Sequence, residues 1–202
     1  MQLFAQPCAR CRRCALPVSA GQTLCGVCVT TDSTLDAALA AVPYAYPWSG
    51  LVLEFKFAQH PGWARSMALL MRSAPWVEPA LESADLVLPM PLSCERLQER
   101  GFNQALLLAR ALIPRKTEAH LLLRIRDTPP QSSLSRAARL QNVQKAFALE
   151  PLHHAAVLGK RIVLVDDVMT SGASLSAAAQ CLRNAGAAHI TALVFARAER
   201  AA

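Results

Sequence analysis

Short apolar runs alternate along this chain with segments whose apolar residues recur at helical spacing. Consecutive apolar residues are typical of strands covered on both faces, whereas recurrence every three to four residues is typical of helices. The runs predict strands at residues 42–46, 85–88, 121–125, 161–165 and 190–196. The helical spacing predicts helices at residues 50–58, 64–73, 102–113 and 174–185.

Strands that alternate with helices predict an α/β fold, with a mainly parallel sheet and helices on both faces. Ligands of such sheets bind beyond the carboxyl ends of the strands, so we expect the chemistry in the loops after Leu88, Ile125 and Val165. Residues 126–144 are polar, basic and rich in Pro and Ser, and they predict a long loop. Loops of that length in compact domains are usually functional or disordered.

The composition is that of a folded protein with an anionic partner. The 202 residues are 53% hydrophobic and only 17% charged, which argues against a disordered chain. The net charge is +7, and residues 101–150 hold eight Lys/Arg against three Asp/Glu. This excess indicates the phosphates of a small ligand or a nucleic-acid backbone, with a solvated basic face as the alternative.

No segment predicts export or a membrane span. Arg10, Arg12 and Arg13 precede any apolar stretch, so no secretory signal is visible. The longest uncharged run, residues 37–53, is interrupted by prolines and a glycine and is too broken for a membrane helix. We expect a cytoplasmic protein whose cysteines are metal ligands or reactive thiols rather than disulfides.

Five of the seven cysteines lie within residues 1–30, a segment with little apolar material. They are Cys8, Cys11, Cys14, Cys25 and Cys28. Two CxxC pairs at this spacing strongly indicate a four-thiolate zinc site, although Cys8 could compete in the first pair. Zinc–thiolate bonds would stabilise a segment that is too small to form its own core. An iron–sulfur cluster or a redox pair is the alternative.

The most informative segment, residues 163–174, ends a buried strand and begins a helix. Asp166 and Asp167 are followed by a small, hydroxyl-rich loop. The loop residues are Thr170, Ser171, Gly172, Ala173 and Ser174. Small residues let backbone N–H groups approach a ligand, and a helix N-terminus favours phosphate. The aspartates can accept hydrogen bonds from sugar hydroxyls or help to hold a divalent cation, so the segment predicts a sugar-phosphate site.

Other interpretations explain this segment less well. A P-loop is excluded because no lysine follows the glycine. A receiver domain would need a second acidic strand end well downstream, and only 36 residues follow Asp166. An acidic turn that merely caps a helix remains the alternative, although the run of small hydroxyl residues is longer than a cap needs.

Residues 163–174 resemble the phosphoribosyl pyrophosphate (PRPP) signature of type I phosphoribosyltransferases. The resemblance implies that Asp166 and Asp167 contact the ribose hydroxyls and that residues 170–174 hold the 5′-phosphate. It also implies Mg²⁺ as the companion of PRPP. Ser171 and Ala173 differ from the commonest form of the signature, but both are small.

A second resemblance, to the competence protein F family (ComF, also called ComFC or GntX), covers nearly the whole chain. The matching residues are the cysteine pairs, Phe55-Lys56-Phe57, Arg96, Arg100-Gly101-Phe102-Asn103-Gln104, Gln131, Leu134, Arg139, Asn142, Ala146-Phe147 and the acidic motif. This resemblance implies a cysteine-rich zinc module at residues 1–34 and a phosphoribosyltransferase-like domain at residues 35–202. It selects Cys11, Cys14, Cys25 and Cys28 as the zinc ligands.

The resemblance also implies basic groups for the pyrophosphate. The loop after residues 85–88 corresponds to the loop that contacts pyrophosphate, and Arg96 and Arg100 follow it. The planar guanidinium fork suits phosphate oxygens. The alternative is that both arginines pair with Glu95 and Glu99 on an exposed turn. Lys56 is a further candidate, and a surface lysine is its alternative interpretation.

Residues 126–142 resemble the mobile loop that closes over the sugar and excludes water. Gln131, Arg139 and Asn142 are its candidate contacts, and a solvated linker is the alternative.

Three functions stay open at this point. The first is a phosphoribosyltransferase, or a non-catalytic binder of PRPP with Mg²⁺; no acceptor base is identified. The second is a factor that handles single-stranded DNA in natural transformation, with DNA-uptake proteins as partners, although no alternation of aromatic and basic residues supports it. The third is a ligand-sensing regulator, which would need a DNA-binding helical module that the sequence does not show.

Overall fold

A parallel β-sheet with helices on both faces forms the body of the protein. The computed structural model describes residues 8–57, 60–126 and 146–199. The strands are β1 (Ala37–Pro43), β2 (Leu86–Pro89), β3 (Leu122–Arg124), β4 (Phe147–Leu149), β5 (Arg161–Met169) and β6 (His189–Arg197). The helices are α1 (Gly26–Thr30), α2 (Trp48–Phe57), α3 (Trp63–Ser73), α4 (Val77–Ser83), α5 (Cys94–Arg100), α6 (Gln104–Leu112) and α7 (Ala173–Asn184).

Four strands pair in the order β1-β6-β5-β2, and all of the pairs are parallel. Successive side chains of a strand point to opposite faces of the sheet. On β5, Ile162 and Leu164 join a core that includes residues of α7, β3 and β4. Val163 and Val165 join a second core that includes residues of α2, α3 and α6. Burial on both faces explains why this segment is continuously apolar.

Most predicted elements are confirmed, with three differences. Strand β1 begins at Ala37, not at residue 42, because pairing with β6 includes an alanine-rich segment that has little apolar signal of its own. Strand β3 does not join the parallel sheet; it pairs antiparallel with β4 as a separate two-stranded sheet. Strand β5 continues to Met169, four residues beyond the predicted end.

The longer β5 changes the placement of the acidic pair. Asp166 and Asp167 lie within the strand, because β6 still pairs with it at Val168 and Met169. The predicted strand, residues 161–165, would have placed both aspartates after its end, and this placement is wrong. The chain turns only after Met169, and the hydroxyl-rich loop then leads into α7.

The cysteine-rich segment folds as a small module against the edge strand β1. Its first turn is closed by two backbone bonds, from Cys11 N to Leu16 O (2.7 Å) and from Ala15 N to Cys11 O (2.8 Å). Ala38 N on β1 donates to Arg12 O in the module (2.7 Å). The module is therefore hydrogen-bonded to the sheet. Within the described ranges, no helix is long and apolar enough to cross a membrane.

Candidate functional site

The acidic pair lies at the carboxyl end of the sheet, beside the loop that follows β2. Strands β2 and β5 are neighbours, and Met90 N extends their pairing by donating to Val165 O (2.9 Å). The loop that follows β2 therefore begins beside Val165, directly before the acidic pair in β5. The third predicted loop, after Ile125, follows the separate strand β3 and continues outside the described residues.

Lys56 reaches the acidic pair from the last turn of α2. Its Nζ lies 3.0 Å from Asp167 Oδ1, and the two side chains are only 19% and 7% exposed. Phe55 is fully buried next to it and anchors the helix, whereas Phe57 is exposed. Lys56 is thus a largely buried partner of the site, which argues against the interpretation as an ordinary surface lysine.

Arg100 supplies a second positive charge. Its guanidinium lies 5.3 Å from the ring centroid of Phe57, and its Nη1 donates to Gln104 Oε1 (3.2 Å). The charge of Arg100 also lowers the pKa of Asp166, which places it near the acidic pair. In the described part of the chain, neither Arg96 nor Arg100 forms an ion pair with a carboxylate, so the alternative of a salt-bridged turn is not what the structure shows.

Gly101 and Ser93 set the direction of α5, which carries both arginines. Ser93 Oγ caps the start of the helix by accepting from Arg96 N (3.3 Å). Gly101 ends it with a left-handed backbone (φ +76°), which glycine adopts without strain. None of the described contacts joins the Arg96 side chain to the acidic pair. Gln131, Arg139 and Asn142 lie outside the described residues.

Two amide side chains at the start of α6 complete this corner of the site. Asn103 Oδ1 accepts from Leu106 N (3.2 Å) and caps the helix, while its Nδ2 donates to Met90 O (3.1 Å). Gln104 is 1% exposed, and its Nε2 has no acceptor among the described residues. Arg100 Nε is also buried and has no acceptor among the described residues. Buried donors without acceptors are rare, so these two atoms lack an acceptor that the described residues do not supply.

In the sequence, Gln104 stands out only as part of the Arg100-Gly101-Phe102-Asn103-Gln104 motif. The one available signal was an amide pair directly after Arg100-Gly101 at a predicted helix start. That signal does not reveal that the second amide is buried.

The pKa of Asp166 lies well above the ordinary value of an aspartate. Desolvation and the nearby charge of Asp167 raise the pKa of Asp166 to about 7. The backbone N–H of Asp167, which donates to Asp166 Oδ1 (2.9 Å), opposes this rise, as do Lys56 and Arg100. Additional positive charge at the site would therefore favour the ionised carboxylate.

The hydroxyl-rich loop, residues 170–174, is called the phosphate loop below. Gly172 has φ +79°, a backbone conformation that other residues adopt only with strain, so this turn favours glycine. Ser171 Oγ accepts from Ala173 N (3.3 Å). The N–H groups of Ser174 and Leu175, in the first turn of α7, donate to no acceptor in the described part of the chain. Within the described residues, the Ser171 side chain therefore occupies one N–H group of this helix start and leaves those of Ser174 and Leu175 available.

The four cysteines that the family resemblance selected meet in space. The Sγ atoms of Cys11, Cys14, Cys25 and Cys28 all lie within 4.8 Å of one another, and those of Cys14 and Cys25 are 3.6 Å apart. Tetrahedral zinc with Zn–S bonds of about 2.3 Å requires sulfur atoms about 3.8 Å apart, so the cluster fits. Cys8 is exposed and lies outside the cluster.

The electrostatics of the cluster also suit a cation. Burial raises the pKa of Cys11, but backbone N–H groups of Cys25, Arg13 and Cys14 outweigh it and lower the pKa to about 7. Burial and the neighbouring sulfur atoms raise the pKa of Cys28. Four thiolates at this distance repel one another, so the simultaneous presence of all four requires a positive ion.

A groove of about 860 Å³ lies between the module and α4. Its walls carry three arginines, Arg10, Arg12 and Arg161, together with Trp76, which is 74% exposed. None of the described residues that line it is acidic. Nothing in the local sequence pattern marks Trp76, and only folding places it opposite the arginines.

Comparison with known proteins adds relatives that extend over most of the chain. A model of the phosphoribosyl transferase domain matches residues 124–202. The DNA utilization protein YhgH of Escherichia coli (strain K12) is 30% identical over 191 residues, which cover 89% of this chain and 80% of that protein. Competence protein F of Haemophilus influenzae is 31% identical over 198 residues, which cover 93% of this chain and 84% of that protein.

Two further similarities cover shorter parts of the proteins compared. Competence protein ComFC of Bacillus subtilis is 38% identical over 103 residues, which cover 51% of this chain and 40% of that protein. Among solved structures, the allosteric regulatory enzyme of purine biosynthesis is similar with a TM-score of 0.42 and 20% identity, over 70% of this chain and 29% of that one.

Proposed function

This chain belongs to the competence protein F family, and on that premise we propose that it binds PRPP, or a closely related phosphorylated ribose, together with Mg²⁺. The ribose hydroxyls lie against Asp166 and Asp167, and the 5′-phosphate occupies the phosphate loop. Lys56 and Arg100 face the pyrophosphate. Whether the protein then transfers the phosphoribosyl group to an acceptor is a separate question, because no residue identifies an acceptor base.

One observation carries this proposal: groups that favour phosphate, groups that favour hydroxyls or a cation, and basic side chains lie together at one end of the sheet. The unpaired N–H groups at the start of α7 favour phosphate, and the two aspartates favour hydroxyl donors or a cation. Lys56, in the last turn of α2, and Arg100, at the end of α5, add positive charge beside the aspartates. A ligand with both hydroxyls and phosphates satisfies all of these groups, whereas a simple anion would be repelled by the aspartates.

The buried donors support the same ligand. Arg100 Nε and Gln104 Nε2 lack acceptors in the described residues, and a pyrophosphate oxygen would supply one. Mg²⁺, when bound with PRPP, would neutralise part of the phosphate charge, and the two aspartates are the carboxylates beside it. The chain's own contribution is to orient the sugar and to hold opposite charges in place before the ligand arrives.

Binding can be tested by calorimetry and by thermal unfolding. We expect Mg²⁺ with PRPP to raise the melting temperature of the zinc-loaded protein, because a ligand that binds the folded state stabilises it. Asp167→Asn should weaken binding at least about tenfold, since it removes a carboxylate that is nearly buried at the site.

Asp85→Asn is the matched control for this experiment. Asp85 lies beside the start of β2, at the opposite end of the sheet, where its carboxylate accepts from Arg161 N (2.8 Å). This variant should lose some stability but bind PRPP as the wild type does. The proposal is rejected if the wild-type protein shows no heat of binding and no rise in melting temperature with Mg²⁺ and PRPP.

We also propose that the metal in the cysteine cluster is a structural Zn²⁺. Cys11, Cys14, Cys25 and Cys28 fill a tetrahedral coordination sphere and leave no open position for a substrate. The ion would hold a module that has almost no core of its own. Iron–sulfur clusters absorb visible light, so a colourless protein with one zinc per chain is the expected result of metal analysis.

A second function, binding of single-stranded nucleic acid, is favoured by the groove between the module and α4. Three arginines can neutralise phosphates, and Trp76 offers an exposed ring on which a base can stack. Two of the relatives carry names that refer to DNA utilization and competence, which agrees with such a partner.

Fluorescence anisotropy with a labelled oligothymidine tests this second function. We expect Trp76→Ala to weaken binding at least about fivefold, because stacking contributes about 1–3 kcal/mol per base. Tyr46→Ala is the control, since Tyr46 is 86% exposed but does not line the groove. Binding that does not weaken with salt, or that responds equally to both variants, argues against the groove as a nucleic-acid site.

A further inference from the structure

Arg197, the last residue of β6, is the largest fully buried side chain among the described residues, with 1% exposure. A buried charge is costly unless its polar groups are hydrogen-bonded. The guanidinium carries five N–H donors in a rigid, planar fork, so it can hold several acceptors in a defined arrangement. The acceptors that Arg197 holds belong to separate parts of the protein.

The guanidinium connects the metal module to the phosphate loop. Its Nε donates to Cys14 O (2.6 Å), the backbone carbonyl of a residue in the cysteine cluster. Its Nη1 donates to Met169 O (2.9 Å), at the end of β5, and to Thr170 O (2.5 Å), at the start of the phosphate loop. Nη1 also donates to Ala198 O.

A second contact lies beside the first. Thr34 Oγ1, in the last residue of the module, donates to Ser176 O in the first turns of α7 (3.0 Å). Thr170 and Ser171 are exposed, and they lie between the end of β5 and the start of α7. The position of the phosphate loop is therefore set by its two ends, and groups tied to the module contact both ends.

We propose that Arg197 is a positioning residue that makes the geometry of the phosphate loop depend on the metal-loaded module. When the metal leaves, the thiolates take up protons and no bond holds the four sulfur atoms together, so the turn that carries Cys14 O loses its anchor. Because the fork is rigid, displacement of this carbonyl either breaks the Nε bond or shifts Nη1 away from Met169 and Thr170. The ligand of the loop is taken from the proposed function, but the coupling does not depend on it.

Hydrogen–deuterium exchange measured peptide by peptide tests the coupling without any ligand. In the wild-type protein, removal of zinc with a chelator should accelerate exchange about tenfold both in the module and in peptides that cover residues 169–176. Peptides from α3 and β2 should be unchanged. Faster exchange in the module alone, with the loop unchanged, would overturn the proposal.

The substitution Arg197→Lys tests the role of Arg197 separately from that of the metal-loaded module. Lysine keeps the charge, but its single ammonium cannot reach Cys14 O and the loop carbonyls together. With zinc bound, this variant should already show fast exchange at residues 169–176, and zinc removal should add little. If chelation unfolds the whole wild-type chain, the comparison of the two zinc-loaded proteins decides the proposal. If Arg197→Lys does not fold, the comparison of wild-type protein with and without zinc decides it.

Arg183→Lys is the matched control. Arg183 also bonds to carbonyls, those of Ala187 and Ala188, and to Asp36, but it does so at the amino end of β6. Its replacement should leave exchange in the phosphate loop unchanged. Equal effects of the two substitutions would show that Arg197 acts only through general stability. If the zinc-loaded wild-type protein does not bind PRPP, the proposed function is wrong. The exchange measurement still tests the coupling between the module and the phosphate loop, because it uses no ligand.

Discussion

At the scale of single residues, the two aspartates of the acidic pair have different surroundings. Asp167 is 5% exposed, and Lys56 Nζ lies 3.0 Å from its carboxylate. Asp166 is half-buried, and burial together with the charge of Asp167 raises its pKa to about 7. One carboxylate therefore has its positive partner within the fold, whereas the other is only partly compensated in the absence of a ligand.

This difference predicts how stability depends on pH. The pKa of Asp166 in the folded state, about 7, is higher than the value of 3.8 expected in the unfolded chain. Its contribution to stability is therefore fully present below about pH 4 and is lost as the pH rises through 7. Between pH 5 and pH 8, we expect the wild type to lose about 2 kcal/mol more unfolding free energy than Asp166→Asn.

Urea unfolding at several pH values measures this effect. The asparagine can still accept the hydrogen bond from Asp167 N, so the variant removes the charge with little change in shape. Parallel pH profiles of the two proteins would contradict the raised pKa.

At the scale of elements, the site is assembled from the ends of helices and strands. Strand β2 ends beside Val165, directly before the acidic pair in β5. Helix α6 begins beside the loop after β2, α7 begins after the end of β5, and the last turn of α2 brings Lys56. Asn103 joins two of these elements, because it caps α6 and also holds Met90 O in the loop after β2. Helix ends suit this task because their backbone groups are not used within the helix.

The double role of Asn103 predicts a graded response to substitution. Asn103→Ala removes both the cap and the bond to Met90 O, and we expect it to lower the free energy of unfolding by about 2 kcal/mol. Asn103→Ser keeps a capping oxygen but cannot reach Met90, so it should lose about half as much. Denaturant titration measures both values, and equal losses in the two variants would contradict a separate contribution from Met90.

At the scale of the whole molecule, three candidate binding regions lie around the sheet. The acidic pair and the phosphate loop lie at the carboxyl ends of β2 and β5, and the cysteine cluster lies beside β1. The arginine-lined groove lies between the module and α4. Arg197 is hydrogen-bonded to the phosphate loop and to Cys14 of the cluster, which lies 183 residues earlier in the chain. The module is thus hydrogen-bonded to both β1 and β6.

Periodicity and local motifs located most of the elements. Continuous apolar residues identified β5, and helical spacing identified α3 and α7, because burial imposes these patterns directly. The same patterns misplaced the start of β1 and the end of β5, since backbone pairing with β6 extends both strands through alanines and aspartates. Element boundaries depend on the partner strand, which a local pattern does not contain.

The sequence by itself pointed to the candidate site residues: the cysteines of the first thirty residues, the acidic pair and the small residues of the phosphate loop. These features depend on neighbours within a few positions, through ligand spacing, helix capping and the backbone freedom of Gly172. Only the tertiary structure decided that Lys56 pairs with Asp167, that Gln104 is buried and that Arg197 joins two sites. Such contacts join residues far apart in the chain, and hydrophobic spacing specifies that a face is buried but not what it is buried against.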